Sequence, residues 1–468
     1  MKVLPRFWWL LCLLPLLGWW ATGLLDLDEG FYAAVTGEML RRGEWVTPYY
    51  NGSPWFEKPI WLYWVSIPTV WAFGQEIGPR LPSVVANWLL YAGVYHMVKR
   101  RAGVASAQLA MLFLATTLLT ALLGRLMMTD AWLNLSLTLC FLFFFESLIT
   151  EDMRWRYAAG ALLGVSVLAK GPIGGAFFLI LAGLTYWREP ELRAAFRRGW
   201  LISIALCLAV VAAWYVPAYL ANGQTFVQKF LIEQNVGRFS GGDKAHTVGG
   251  FGYLLYIPVL LLGAAPWIFS LRSAITVARE PDQVFARYCL RWAATIFVFF
   301  TISAAKLPHY VLPCIPPLMI AVAIAWTRRR EPHRAFGRAA VMAVGLFVLL
   351  NAGLWTWYYG GTVFGTRVAS GQSEAHTLAR KLRATDQEIA LYQLPRRQKS
   401  RGTGEFKIQE TSLPSVIFYI DRPVLMTDDA SAIKPGSLVF TRPNRVAGDS
   451  AFAPVEVREF FGIWRKVP

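Results

Sequence analysis

Apolar runs recur from the N-terminus to about residue 358, separated by short polar segments. Each approaches the roughly 20 residues that a helix needs to cross a bilayer. The pattern predicts eleven spans, at about 7–25, 81–98, 104–122, 131–149, 156–169, 172–187, 199–219, 251–271, 289–304, 309–326 and 339–358. One further run, "PIWLYWVSIPTVWAFG" (59–74), is apolar enough to compete. Charge parity argues against its crossing. With Lys2 and Arg6 inside and 26–80 treated as one external loop, the clusters at Lys99-Arg100-Arg101, Arg154/Arg156, Arg188–Arg198, Arg272–Arg291 and Arg328–Arg338 all fall inside. That is the positive-inside pattern. The run 59–74 then reads as a helix at the outer interface, where Trp and Tyr prefer to sit. A reporter fused after Gly78 or Gly360 should therefore read external, and one after Arg101 or Arg330 cytoplasmic. A cytoplasmic signal at Gly78 would make 59–74 a crossing and move every later loop.

Beyond about 360 the pattern changes. "SEAHTLARKLRAT" (373–385) predicts a helix, whereas "EIALYQL", "SVIFYI", "PVLMT" and "SLVFT" predict short strands. The division is a transmembrane domain over 1–358 and a small external α/β domain over 360–468.

Composition agrees with a polytopic membrane protein. Of 468 residues, 56% are hydrophobic and only 16% charged, against about 25% charged in soluble domains. The net charge of +17 sits in the short loops. It reports orientation rather than a nucleic-acid partner. The five cysteines lie in or beside apolar runs, with no metal-knuckle spacing and no disulfide framework. The first 25 residues imitate a signal peptide, but Trp19-Trp20 stand where small residues are wanted, so they read as a retained first span.

The polar residues that topology leaves unexplained all fall in external loops. They are Asp26, Asp28 and Glu29; Glu57 and Lys58 in "PWFEKPIWLYW"; Arg125 and Asp130 in "GRLMMTD"; Lys170 in "AKGP"; Arg238 and His246; and Lys306, His309 and Tyr310 in "KLPHYVLP". Each has an ordinary use. Asp28 and Asp130 can cap helices, Lys58 can snorkel to headgroups, Lys306 can anchor a helix end, and His246 can be a plain loop histidine. As a set they suit one reaction. A carboxylate takes a proton from a hydroxyl, Lys and Arg hold a phosphate and stabilise its departure, and grooves between spans hold a lipid tail. A transporter or flippase of a lipid-linked sugar is the competing reading. Such proteins place charges near the midplane, and these spans are nearly charge-free there.

"LDLDEGFYAAVTGEMLRRGEWVTPYYNGSPWFEKPIWLYW" (25–64) resembles the first external loop of the bacterial aminoarabinose transferases that modify lipid A, part of the wider protein-mannosyltransferase-like group. "GRLMMTDAWL" (124–133), "LAKGPIG" (168–174) and "KLPHYVLPCIPPL" (306–318) are similar to three further blocks in the same order. The resemblance covers about residues 5–330. It implies a GT-C fold: an all-α polytopic protein of the bacterial inner membrane, with its N-terminus cytoplasmic and its small C-terminal α/β domain periplasmic. It also implies an undecaprenyl-phosphate-linked sugar donor and an envelope acceptor such as lipid A. By the same resemblance, Asp28 is the essential carboxylate and Asp130 shares its cavity. Lys58, Arg238 and Tyr310 attend the donor phosphate, with Lys306 a further candidate. Glu57 and His246 would hold a divalent metal such as Zn, Mg or Mn. The chain departs from the pattern at Phe31, where relatives often carry a basic residue, and at Gln234 and Asn235, where they often have a His.

Overall fold

The structure, a computed structural model, describes residues 6–26, 28–237, 252–328, 332–363, 366–368, 370–394 and 413–468. The chain forms two compact units. The first comprises Met1–Leu17, Phe56–Leu62 and Ser83–Leu350; the second comprises Gly18–Trp55, Tyr63–Pro82 and Asn351–Pro468. The small domain expected over 360–468 is thus one part of a unit that also takes in most of residues 26–80.

The N-terminal run does not make the single helix expected over 7–25. It forms one turn, α1 (Leu10–Leu13), and a 3-10 turn at Leu14–Leu16. Pro15 lacks a backbone donor, and Gly18 adopts φ +82°, a conformation glycine reaches without a Cβ penalty. An added Cβ at 18 would also lie 1.9 Å from Asn351 Oδ1, so that side chain would have to move.

The helices that follow track the apolar runs. They are α2 (Asp28–Arg42), α3 (Trp61–Ile77), α4 (Leu81–Ala115), α5 (Leu118–Leu123), α6 (Thr129–Thr150), α7 (Met153–Lys170), α8 (Ile173–Arg188) and α9 (Trp200–Phe226). After them come α10 (Tyr256–Gly263), α11 (Leu271–Ala278), α12 (Val284–Ile302), α13 (Ile315–Arg328) and α14 (Pro332–Tyr359). Among the described residues, five helices are long and apolar enough to cross a membrane, or six if one bent pair counts as a span. That pair replaces the single span expected at 251–271. The segments Gly252–Gly263 and Trp267–Ala278 meet at 100°, with Pro266 between them unable to donate the hydrogen bond that would carry a helix through.

In the first unit α6 is a central helix. Of its most apolar stretch 78% is buried, and Glu146 near its end is tolerated because Arg100 Nε (3.0 Å) and Arg101 Nε (2.5 Å) both donate to it. The apolar stretch of Trp200–Gln234 is only 17% buried, with Leu201, Leu208 and Leu220 exposed. Apolar surface of that extent is what hydrocarbon covers.

In the second unit α2 is buried from Glu29 to Met39. A cluster of Phe31, Tyr50 and Trp55, with ring centroids 5.0–5.1 Å apart, closes the loop after it. The tail contributes α15 (Gln372–Arg383), α16 (Pro414–Ile420) and five strands, β1 (Ile389–Tyr392), β2 (Leu425–Thr427), β3 (Leu438–Thr441), β4 (Phe452–Val457) and β5 (Gly462–Lys466). They form one sheet of order β2-β1-β3-β5-β4, with β1 parallel to β2 and β3 and the other pairs antiparallel. "SVIFYI" is a helix, not the strand its β-branched residues suggest. Pro414 opens it at N1, and every residue of α16 is buried; a short apolar run has no period of its own that separates helix from strand.

Candidate active site

Asp130 occupies the first turn of α6, and Lys170 is the last residue of α7. Consecutive and packed together, the two helices bring these ends face to face, Lys170 Nζ donating to Asp130 Oδ1 at 2.5 Å. An acid at a helix start and a base at a helix end each also complement the local dipole. The "AKGP" sequence makes the turn. Gly171 takes φ +87°, and Pro172 begins the approach to α8. Asp130 is not a cap; the N-cap is Met128, and the carboxylate is 2% exposed and committed to the lysine.

The 3-10 turn Pro308–Cys314 adds Tyr310, whose ring centroid lies 4.7 Å from Lys170 Nζ. That is a cation–π distance. His309 stands beside it, rings 5.0 Å apart. Lys58, in the bend before α3, and His309 both stand within electrostatic reach of Asp130. The first unit therefore gathers Lys58, Asp130, Lys170, His309 and Tyr310, from residues 252 positions apart at the extremes. Lysines, imidazole and phenol around one carboxylate make a setting for an oxyanion such as a phosphate. Lys170 appears in the sequence as an unexplained cation, and only the packing of α6 on α7 gives it a partner.

Lys306 turns back onto its own chain. Its ammonium donates to the carbonyls of Phe300 (3.0 Å), Thr301 (2.7 Å) and Ser303 (2.6 Å). An ammonium has three donors, so these bonds engage all of them at the end of α12. Arg238 and His246 lie outside the described residues. Glu57 is half-buried beside Lys58. Among the described residues no three His, Cys, Asp or Glu side chains come together as a metal site.

Asp28 belongs to the second unit, as the first residue of α2. Its neighbours hold the backbone on either side. Glu29 Oε2 accepts from Leu25 N at 2.8 Å, and both its oxygens accept from Arg80, at 2.8 and 2.7 Å. Arg80 also donates to the carbonyls of Trp19, Thr22 and Gly23. Asp26 accepts from Ser415 N and Oγ and from Gln372 Nε2. Loss of water around Asp26 pushes its pKa up to about 7, against those hydrogen bonds and with help from the Glu29 charge.

Residues 57–216 match the family model described as dolichyl-phosphate-mannose-protein mannosyltransferase. An undecaprenyl phosphate-aminoarabinose arabinosyl transferase of Shewanella sediminis is 30% identical over 371 residues, 77% of this chain and 66% of that protein. The chain belongs to the aminoarabinose transferase family. A second such relative, from Pseudomonas fluorescens, is 28% identical over 71% of this chain and 60% of its own length. The chain thus spans less than two thirds of the curated relatives it matches. The crystal structure of ArnT from Cupriavidus metallidurans bound to undecaprenyl phosphate superposes with a TM-score of 0.77, covering 97% of this chain and 96% of that one at 19% identity. An Archaeoglobus fulgidus oligosaccharyltransferase gives 0.52 over 81% of this chain and 55% of its own, at 13% identity. The fold is the GT-C fold, and like other members of the family the chain is a multi-pass membrane protein. The matched stretch 57–216 contains Lys58, Asp130 and Lys170; Asp28 and Tyr310 lie outside it.

Proposed function

We propose that this protein is an integral-membrane glycosyltransferase. It moves a sugar, aminoarabinose in the reading its relatives favour, from undecaprenyl phosphate to an envelope acceptor such as lipid A at the periplasmic face of the bacterial inner membrane. The observation that carries the proposal is the buried Asp130–Lys170 pair against the Tyr310 ring, with His309 beside that ring and Lys58 within electrostatic reach of the same carboxylate. In the reaction the bond between the sugar C1 and the donor phosphate oxygen breaks, and undecaprenyl phosphate departs with the electron pair. The acceptor oxygen bonds to C1, and its proton passes to Asp28. Lys58 meets the phosphate oxygen as its charge grows, so its stabilisation rises toward the transition state.

The test is transfer by purified protein in lipid nanodiscs, with undecaprenyl phosphate-aminoarabinose and lipid A, read by mass spectrometry. Donor consumption without acceptor modification would reassign the acceptor, and no donor consumption would remove the activity. Lys58→Ala should lower both kcat and donor affinity and leave acceptor affinity near parental. Lys58→Arg should recover only part, because a planar guanidinium presents its donors differently. Weakened acceptor binding at unchanged kcat would put Lys58 on the acceptor side.

A further inference from the structure

Four side chains in the second unit form one continuous hydrogen-bonded file. Tyr358 Oη is 2.9 Å from His376 Nδ1, His376 Nε2 is 2.7 Å from Ser415 Oγ, and Ser415 Oγ is 2.6 Å from Asp26 Oδ2. Tyr358, His376 and Ser415 are 3%, 0% and 0% exposed. Their donors can be ordered from the carboxylate end. An ionised Asp26 only accepts, so the serine proton points to it. Ser415 Oγ must then accept from His376 Nε2–H, which leaves Nδ1 to accept from the tyrosine. With Asp26 ionised, His376 is the neutral Nε2–H tautomer; protonation of Asp26 reverses every donor along the file. Burial, with Arg380 and Arg80 nearby, holds the imidazole well below the usual histidine range.

This is not a hydrolase triad. In such a triad the carboxylate orients the histidine and the serine meets substrate. Here the carboxylate touches the serine, and the serine is sealed. The file instead joins the end of α14, the two tail helices α15 and α16, and the loop that leads into α2. The backbone approaches it closely on both sides of Asp28. A Cβ on Gly23 would lie 2.3 Å from Tyr358 Oη and 2.7 Å from His376 Nδ1; one on Gly30 would lie 2.1 Å from Asp26 Oδ1 and 2.5 Å from Ser415 N. Leu24 N adds a hydrogen bond to Tyr419 Oη at 3.2 Å, and the Tyr419 ring packs on His376.

We propose that Tyr358, His376, Ser415 and Asp26 are positioning residues through which the C-terminal tail sets the Asp28 backbone for sugar transfer, so that the tail governs turnover rather than donor binding. The inference rests on the reading of Asp28 as the reacting carboxylate. Displacement of a reacting group by about 1 Å can cost on the order of a hundredfold in rate, and the close approach of Gly30 to Asp26 and Ser415 couples the file to the first turn of α2, which Asp28 opens.

The test compares Ser415→Ala, which deletes the hydroxyl at little change in volume, with Ser415→Thr, which keeps it. Ser415→Ala should lower kcat per folded molecule by about tenfold or more, leave donor KM within about twofold and keep a near-parental unfolding midpoint, and Ser415→Thr should recover much of the loss. Should Ser415→Ala fail to fold, Tyr358→Phe at the far end of the file should show the same split more weakly. Unchanged kcat with a lowered unfolding midpoint, or raised donor KM at unchanged kcat, would overturn the proposal. Asp28→Asn runs alongside. If it keeps turnover, the reading of Asp28 fails; if it is inactive while the file variants keep kcat, only the positioning inference fails.

Discussion

Asp28→Asn should abolish sugar transfer while insertion and folding persist. The substitution is isosteric, and asparagine is as acceptable as aspartate at a helix start, so α2 should form as before. The backbone around it is held by other groups. Glu29 grips Arg80 and Leu25 N, and Asp26 grips Ser415. What the substitution removes is the capacity to take a proton, and loss of one general base costs about 10²–10⁴ in rate. Initial rates with saturating donor and acceptor, beside a thermal unfolding curve, make the comparison. Near-parental turnover would take Asp28 out of the reaction.

The second large effect concerns Asp130 and Lys170. Removing one member of a buried ion pair strands a charge away from water and costs about 3–5 kcal/mol, whereas replacing both members by neutral groups of similar volume is often close to neutral. Lys170→Met and Asp130→Leu, each alone, should therefore reduce the yield of folded protein sharply. The double substitution should recover the unfolding midpoint and stay inactive, since the oxyanion setting is gone. Stability and activity both restored in the double variant would reduce the pair to a packing element. Neither restored would mean that Asp130 or Lys170 makes further contacts the fold depends on.

Much of the molecule follows from short-range pattern. Apolar runs free of proline and glycine become unbroken helices, as in α6 and α12. The same rule explains the departures, at Pro15 and Gly18 and again at Pro266. Gly103, with φ +81°, divides α4 where the expected spans 81–98 and 104–122 separate. The tail helix over 373–385 and the strands at "EIALYQL", "PVLMT" and "SLVFT" carry enough local character to be read directly; "SVIFYI" does not, because its six residues fit either element and burial decides between them.

The sequence by itself determined that this is a multi-span membrane protein with a small mixed tail. It also singled out Asp28, Lys58, Asp130 and Tyr310, because charges beside apolar helices stand out against a background that excludes them. Tertiary structure alone decided what the charges do. Lys170 and Lys306 look alike in sequence, each a lysine at a helix end near a proline. One faces Asp130 across two packed helices; the other folds back onto three carbonyls of its own chain. Likewise nothing local ties Asp26 to Ser415, 389 residues away. Periodicity records which face of an element is apolar, a property of near neighbours. The partner of a polar group is set by which distant segments pack together, and that information is spread over the whole chain.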